Sequence, residues 1–242
     1  MNGKVAIVTG GTSGIGKATV YRFAKEGMQV VFTGRSDNRG QAILNDLKKE
    51  GITVDFYRAD VNNYDEIGSL FEYVINKYGE VNVVCAAAGI AKAETIDTDV
   101  KEWSKVIDTN LNAVYETNRL AIKQMLKQEN GGAIVNLGSV HSFVATPQSS
   151  AYSASKGGIK LMTQSLAVRY AKDNIRINSV CPGYIETNMT KDLDQDYLKA
   201  LHPIGRLGKP EEIANVINFL SGPEASFITG ESIIVDGGYS MI

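Results

Sequence analysis

Val5-Ala6-Ile7-Val8-Thr9-Gly10-Gly11-Thr12-Ser13-Gly14-Ile15-Gly16 opens the chain with an apolar run that breaks into glycines. The four consecutive apolar residues predict a strand buried on both faces, as a central parallel strand is. The stretch after Gly14 has helical character, so the glycines lie where a strand turns into a helix. Glycine permits the tight turn and lets main chain approach a ligand closely, and free N–H groups at a helix start favour negative charge. Strand, glycine turn and helix together predict a cradle for a dinucleotide pyrophosphate made by Gly10, Thr12, Ser13, Gly14, Ile15 and Gly16. The spacing is Gly10-x-x-x-Gly14-x-Gly16, not the more familiar G-x-G-x-x-G; the plainer alternative is a simple strand-helix turn.

Outward from this turn, short apolar runs alternate with helical stretches to the end of the chain. Strands are predicted at 4–9, 29–33, 53–58, 81–86, 132–137, 176–181 and 232–235. Helices are predicted at 14–26, 39–50, 64–78, 99–127, 151–172 and 210–220. That alternation predicts an α/β fold: one single-domain, doubly wound (Rossmann-type) parallel sheet of about seven strands, spanning 1–242, with helices on both faces. Residues 187–207 interrupt the pattern with many charges and weak helical periodicity. They read as a mobile insertion at the ligand-binding edge, a substrate lid, or more plainly as a solvated loop.

Composition is that of an ordinary globular protein, with 43% hydrophobic and 21% charged residues in 242. A net charge of −2 and the absence of a basic run give no reason to bind nucleic acid. No stretch reads as a signal peptide or membrane span, which makes the cytoplasm the expected location and a membrane partner unexpected. Two cysteines, Cys85 and Cys181, make no disulfide framework, and His141 and His202 form no spaced ligand cluster, so no metal is expected.

The second predicted strand ends Thr33-Gly34-Arg35-Ser36 without a carboxylate at its tip. An acidic residue there grips the ribose of NAD, whereas an arginine accommodates the 2′-phosphate of NADP. Arg35 and Ser36 therefore favour NADP(H). NAD(H) stays possible, because Arg35 could stack on adenine and Asp37 is near enough to reach a ribose.

Tyr152 and Lys156 stand four residues apart in a predicted helix, on one face. The same Tyr-x-x-x-Lys string occurs at Tyr21/Lys25 and Tyr73/Lys77. Only Tyr152/Lys156 opens the helix that follows the fifth strand, with Ser139 just past that strand's end. A general acid or base working near neutral pH needs a tyrosine pKa about three units below its free value of about 10. A lysine ammonium can supply much of that shift, and an oxidised nicotinamide ring would add more. Ser139 would hold the substrate oxygen beside the phenol.

With these residues in place, the chain resembles the short-chain dehydrogenase/reductase family from its first strand to its last residues. The resemblance implies a catalytic set of Asn110, Ser139, Tyr152 and Lys156, with Asn110 supporting a water-linked proton relay. It further implies cofactor contacts at Asp60, Val61, Ala88, Gly89, Asn110, Tyr152, Lys156, Pro182, Gly183, Ile185 and Thr187, and a homotetramer. Where the family has Asn-Asn-Ala-Gly after strand four, this chain has Ala86-Ala87-Ala88-Gly89, which loses side-chain hydrogen bonds that brace the turn. His141 and Tyr184 are the candidate substrate contacts beside Ser139 and Tyr152; His141 reads equally as a loop histidine with its own hydrogen bonds.

The expected reaction is hydride transfer between NADP(H) and a small ketone or secondary alcohol. One alternative is a 3-oxoacyl-(acyl-carrier-protein) reductase. Basic residues suited to an acidic carrier are missing before strands five and six, which read Gln128-Glu129-Asn130 and Asp173-Asn174. The other is a non-catalytic NADP(H)-sensing regulator, which would need no catalytic set.

Overall fold

Alternate residues of the first strand bury themselves in opposite directions. In β1 (Val5–Thr9), Val5 and Ile7 join one hydrophobic cluster, Ala6 and Val8 the other. This is the period of two along a strand covered on both sides. The computed structural model describes residues 1–147 and 149–241. One cluster packs α1 (Gly14–Lys25) and α2 (Asp37–Lys49) on one face of the sheet, through Phe23 and Leu47. The other packs α3 (Tyr64–Tyr78) on the opposite face, through Ile67 and Leu70.

The remaining strands are β2 (Gln29–Gly34), β3 (Asp55–Arg58), β4 (Val83–Ala86), β5 (Gly132–Leu137), β6 (Ile175–Pro182) and β7 (Ser232–Val235). All pair in parallel, in the order β3-β2-β1-β4-β5-β6-β7. The chain winds outward from β1 in one direction and from β4 in the other. Their carboxyl ends therefore diverge into a crevice, the place where such sheets bind ligands. The expected fold class and strand count match this sheet.

Two expectations need correction. The single helix expected over 99–127 is three pieces: α4 (Val100–Ile107), a π-helical turn at Asp108–Asn112, and α5 (Ala113–Met125). In that turn the Ala113 N–H reaches back five residues to the Asp108 carbonyl. The extra residue turns Asn110 inward, where it is fully buried. The second is in the segment 187–207, where no helix is expected. It contains α7 (Gln195–Ala200), capped by the Asp194 carboxylate, and it is pinned by buried Leu198 and His202. Six residues are too few to show a period. The remaining helices, α6 (Ser150–Tyr170) and α8 (Pro210–Ser221), lie close to their expected limits. No helix among the described residues is long and apolar enough to cross a membrane.

Candidate active site

The glycine turn is built by close approach. Gly10 has φ +67°, and a Cβ there would lie 2.8 Å from the Cα of Ala88, at the end of β4. A Cβ on Gly16 would collide with the Gly10 carbonyl oxygen. The turn therefore tolerates no side chain at either point, and Thr12 packs its own against Gly34 at the tip of β2. Ser13, at the N-cap of α1, makes no side-chain cap hydrogen bond, and the first turn carries no acidic residue. By contrast Ser36, Asn63, Asp99 and Ser149 cap α2, α3, α4 and α6 with their side chains. The leading N–H groups of α1 are thus left for an anion. This donor set fits a pyrophosphate, and Thr187 crosses above it: a Cβ on Gly14 would lie 3.2 Å from the Thr187 methyl.

Farther along the crevice, Arg35 is exposed and reaches the Asp60 carboxylate at 3.7 Å. Asp60 also accepts from the Asn62 N–H, and its own N–H donates to Glu66. Ser36 uses its oxygen to cap α2, accepting from the Arg39 N–H at 3.4 Å. Asp37 faces Arg58 at 3.5 Å. Val61 is buried behind Asp60. Pro182 ends β6, and the Gly183 N–H donates to Val235; a Cβ on Gly183 would lie 2.9 Å from the His202 ring. Ile185 bridges to Gly208, which ties the start of 187–207 to its end.

At the ends of β4 and β5, Asn110, Ser139, Tyr152 and Lys156 come together. Lys156 is 3% exposed, and its ammonium donates to the Leu137 carbonyl at 2.6 Å. The same nitrogen is 5.6 Å from the centre of the Tyr152 ring, so the two side chains share one face of α6. Ser139 accepts from the His141 N–H at 3.1 Å, and its hydroxyl lies beside the Tyr152 phenol, where it favours the phenolate. Gly89 lies alongside: a Cβ there would be 3.3 Å from the Asn110 amide oxygen and 3.8 Å from the Lys156 nitrogen.

Electrostatics run opposite to the simplest expectation. Burial pushes the Tyr152 phenol above its ordinary value; the Ser139 hydrogen bond pulls it back, and the Cys181 thiol adds a small upward push. Burial lowers the Lys156 ammonium to about 8. The chain's own groups therefore do not supply the expected three-unit drop. They hold the phenol protonated next to an amine that gives up its proton readily.

Asn110 explains how the altered turn after β4 is braced. Its amide oxygen accepts from the Ile90 N–H at 2.8 Å, and its amide nitrogen donates to the Ile90 carbonyl at 2.8 Å and to the Ser155 hydroxyl at 3.2 Å. Ser155 passes the connection to the Tyr152 carbonyl at 2.7 Å. Neither Ser155 nor this link was predicted, although Ser155 immediately precedes Lys156.

His141 is a loop histidine with its own hydrogen bond, and it also stands beside Tyr152. Its Nδ1 bonds the Val144 carbonyl at 3.1 Å, and its ring meets Tyr152, Tyr184 and Tyr239 edge-on at 6.0–6.1 Å between centres. Burial lowers its pKa, which keeps the ring neutral. Tyr239, from the end of the chain, went unpredicted. Burial is the main cause that raises Tyr184 to about 12. A cleft of about 980 Å³ runs from Gly14 and Thr187 along α1 to Pro210, and none of Asn110, Ser139, Tyr152 or Lys156 lines it.

Residues 10–240 match a family model described as enoyl-(acyl carrier protein) reductase. The chain is 39% identical over 242 residues to a 3-oxoacyl-[acyl-carrier-protein] reductase of Thermotoga maritima, with 98% of each chain covered. It is 38% identical over 249 residues to an NADP-dependent (R)-specific alcohol dehydrogenase of Lentilactobacillus kefiri, covering 99% of this chain and 98% of that one. Among solved structures it matches a short-chain type dehydrogenase/reductase from Mycobacterium marinum with a TM-score of 0.96 and 31% identity, over 100% of this chain and 97% of that one.

Proposed function

The chain belongs to the short-chain dehydrogenase/reductase family, oxidoreductases acting on CH–OH groups with NAD(P)(H), and from that premise we propose that it interconverts a small ketone and its secondary alcohol with Tyr152 as proton carrier. The observation that carries this reading is the gathering of Ser139 and Lys156 around Tyr152 at the crevice, with the Lys156 ammonium 5.6 Å from the centre of the Tyr152 ring. Ser139 would hold the substrate oxygen. Tyr152, protonated because burial disfavours its phenolate, gives that oxygen its proton in reduction and takes it back in oxidation. Lys156 steadies the phenolate that remains, and Asn110 fixes the floor of the site through Ile90 and Ser155.

Gly10 to Gly16, Asp60, Val61, Ala88, Gly89, Pro182, Gly183, Ile185 and Thr187 would hold the cofactor, which supplies the hydride acceptor or donor when bound. Residues 187–207 would cover the bound substrate. His141, Tyr184 and Tyr239 give the pocket an aromatic wall.

NADP(H) is the preferred cofactor in this reading. Arg35 is exposed, its ion pair with Asp60 is long, and it is free to turn to a 2′-phosphate. The alcohol dehydrogenase relative is itself named NADP-dependent. A second reading, reduction of 3-oxoacyl groups on a carrier protein, draws on the Thermotoga relative. Against it, Gln128 is committed to the Val81 main chain on both its amide oxygen and nitrogen.

A panel of ketones, alcohols and a 3-oxoacyl thioester, assayed with both cofactors, tests these readings together. Reduction of small ketones with NADPH is the expected result. A preference for NADH would overturn the Arg35 argument, and activity on the thioester alone would install the second reading.

A further inference from the structure

The start of α6 is held by a residue far away in the sequence. A helix start leaves four N–H groups without partners inside the helix. Here the Ser150 N–H donates to the Glu94 carboxylate at 2.9 Å and the Ala151 N–H at 2.8 Å. The Ser149 and Ser150 hydroxyls donate to the same carboxylate. Ser149 in turn accepts from the N–H of Tyr152 at 3.2 Å, so the chain of contacts runs from Glu94 to Tyr152 through one hydroxyl. A carboxylate accepts at about four lone-pair positions and donates nothing, which suits four converging donors. Those hydrogen bonds hold Glu94 below the usual carboxylate range, the Ser150 hydroxyl being the largest cause.

Glu94 lies in the segment that leaves the site at Gly89. That segment is fixed at two points: Ile90 by the Asn110 amide, and Glu94 by the first turn of α6. Asn110 and Tyr152 are thus joined through this segment as well as through Ser155. We propose that Glu94 is a positioning residue, clamping the first turn of α6 so that the Tyr152 phenol stays in register with Ser139. The proposal rests on Tyr152 being the proton carrier. In this role Glu94 acts through the helix start, by its bonds to Ser149, Ser150 and Ala151.

The test pairs turnover with amide hydrogen exchange in the full chain, for wild type, Glu94→Gln, Glu94→Ala and Glu94→Asp. Gln puts a donor where the helix already presents donors, so it should behave much like Ala, while Asp keeps the charge and should recover part of the loss. In Gln and Ala, exchange should rise at residues 150–153 but not in β1 or α1. Their kcat should fall about tenfold with the cofactor KM unchanged, the scale of a small displacement of a reacting group. Faster exchange at 150–153 with an unchanged kcat would overturn the proposal. So would a kcat loss accompanied by faster exchange throughout the sheet, since that marks general destabilisation. If wild type turns over no ketone or alcohol while Glu94→Gln and Glu94→Ala still show the local exchange change, the reading of Tyr152 itself is overturned, and this role with it.

Discussion

Two helices of this protein carry the same pair at the same spacing and give it opposite properties: in α3 the Lys77 ammonium also donates to the Tyr73 hydroxyl at 3.2 Å, whereas in α6 the Lys156 ammonium turns to the Leu137 carbonyl. In α3 the Lys77 ammonium is 5.6 Å from the centre of the Tyr73 ring, and in α6 the Lys156 ammonium is 5.6 Å from that of Tyr152. Lys77 is partly exposed and donates to the Asp55 carboxylate at 2.6 Å, which raises its pKa. Lys156 is buried against a main-chain carbonyl with no carboxylate partner among the described residues, and its pKa falls to about 8. Spacing brings the two side chains together, and surroundings decide what they can do. A half-exposed amine tied to a carboxylate is an ordinary ion pair; an amine deprived of water beside a phenol has the setting that proton transfer needs.

The largest way to break the comparison is to remove the hydroxyls. Tyr152→Phe should lower kcat by about 10²–10⁴-fold, the usual range for a lost general acid or base, while Tyr73→Phe leaves it unchanged. Fluorescence titration with NADPH should show both variants binding cofactor like wild type. Removing the amines comes next. Lys156→Met should cut kcat on the order of 10²-fold. Lys77→Met should leave kcat alone and cost about 0.5 kcal/mol, as a screened surface pair does.

The pH dependence of stability sharpens the contrast further. Folded Lys156 gives up its proton near pH 8, whereas the unfolded chain keeps it until about 10.5. Between those values the unfolded state binds more protons, so stability rises with pH. Wild type should therefore gain stability relative to Lys156→Met between pH 8 and 10.5 in denaturant melts, and no such gain should separate wild type from Lys77→Met. The smallest effects come from glycines. Gly79, the α3 C-cap at φ +80°, has open space around it, so Gly79→Ala should cost about 1 kcal/mol of backbone strain without touching kcat. A Cβ on Gly89 would press on the Asn110 amide at 3.3 Å, so Gly89→Ala should lower kcat roughly threefold with little change in melting.

The sheet was legible because its strands are continuous apolar runs and its turns are glycine-marked; β1 and β5 need no partner to be recognised. Choosing Tyr152/Lys156 over the two look-alike pairs needed only the knowledge that α6 follows β5. What stayed hidden depends on distant partners. The π-helical turn at Asp108–Asn112 goes with the bonds that Asn110 makes to Ile90, twenty residues earlier, and helical periodicity runs through it uninterrupted. Glu94 looks like one more surface acid until α6 is placed against it. In 187–207, Asp194 followed by Gln195-Asp196 was an available N-cap signal for α7, masked by the shortness of the helix. The chain's own groups move Tyr152 upward, because burying a phenolate is costly, a cost that weighing the lysine and the nicotinamide alone leaves out.

The central claim is that burial, not spacing, makes the α6 pair a proton-transfer device. Carbon-13 NMR of lysine side chains, recorded from pH 6 to 11 on wild type and Lys156→Met, reads it directly. The account predicts one lysine signal with a midpoint near 8, absent from the variant, while the Lys77 signal stays fixed across the range. Titration of every lysine above about pH 10, where an ordinary exposed lysine titrates, would contradict it.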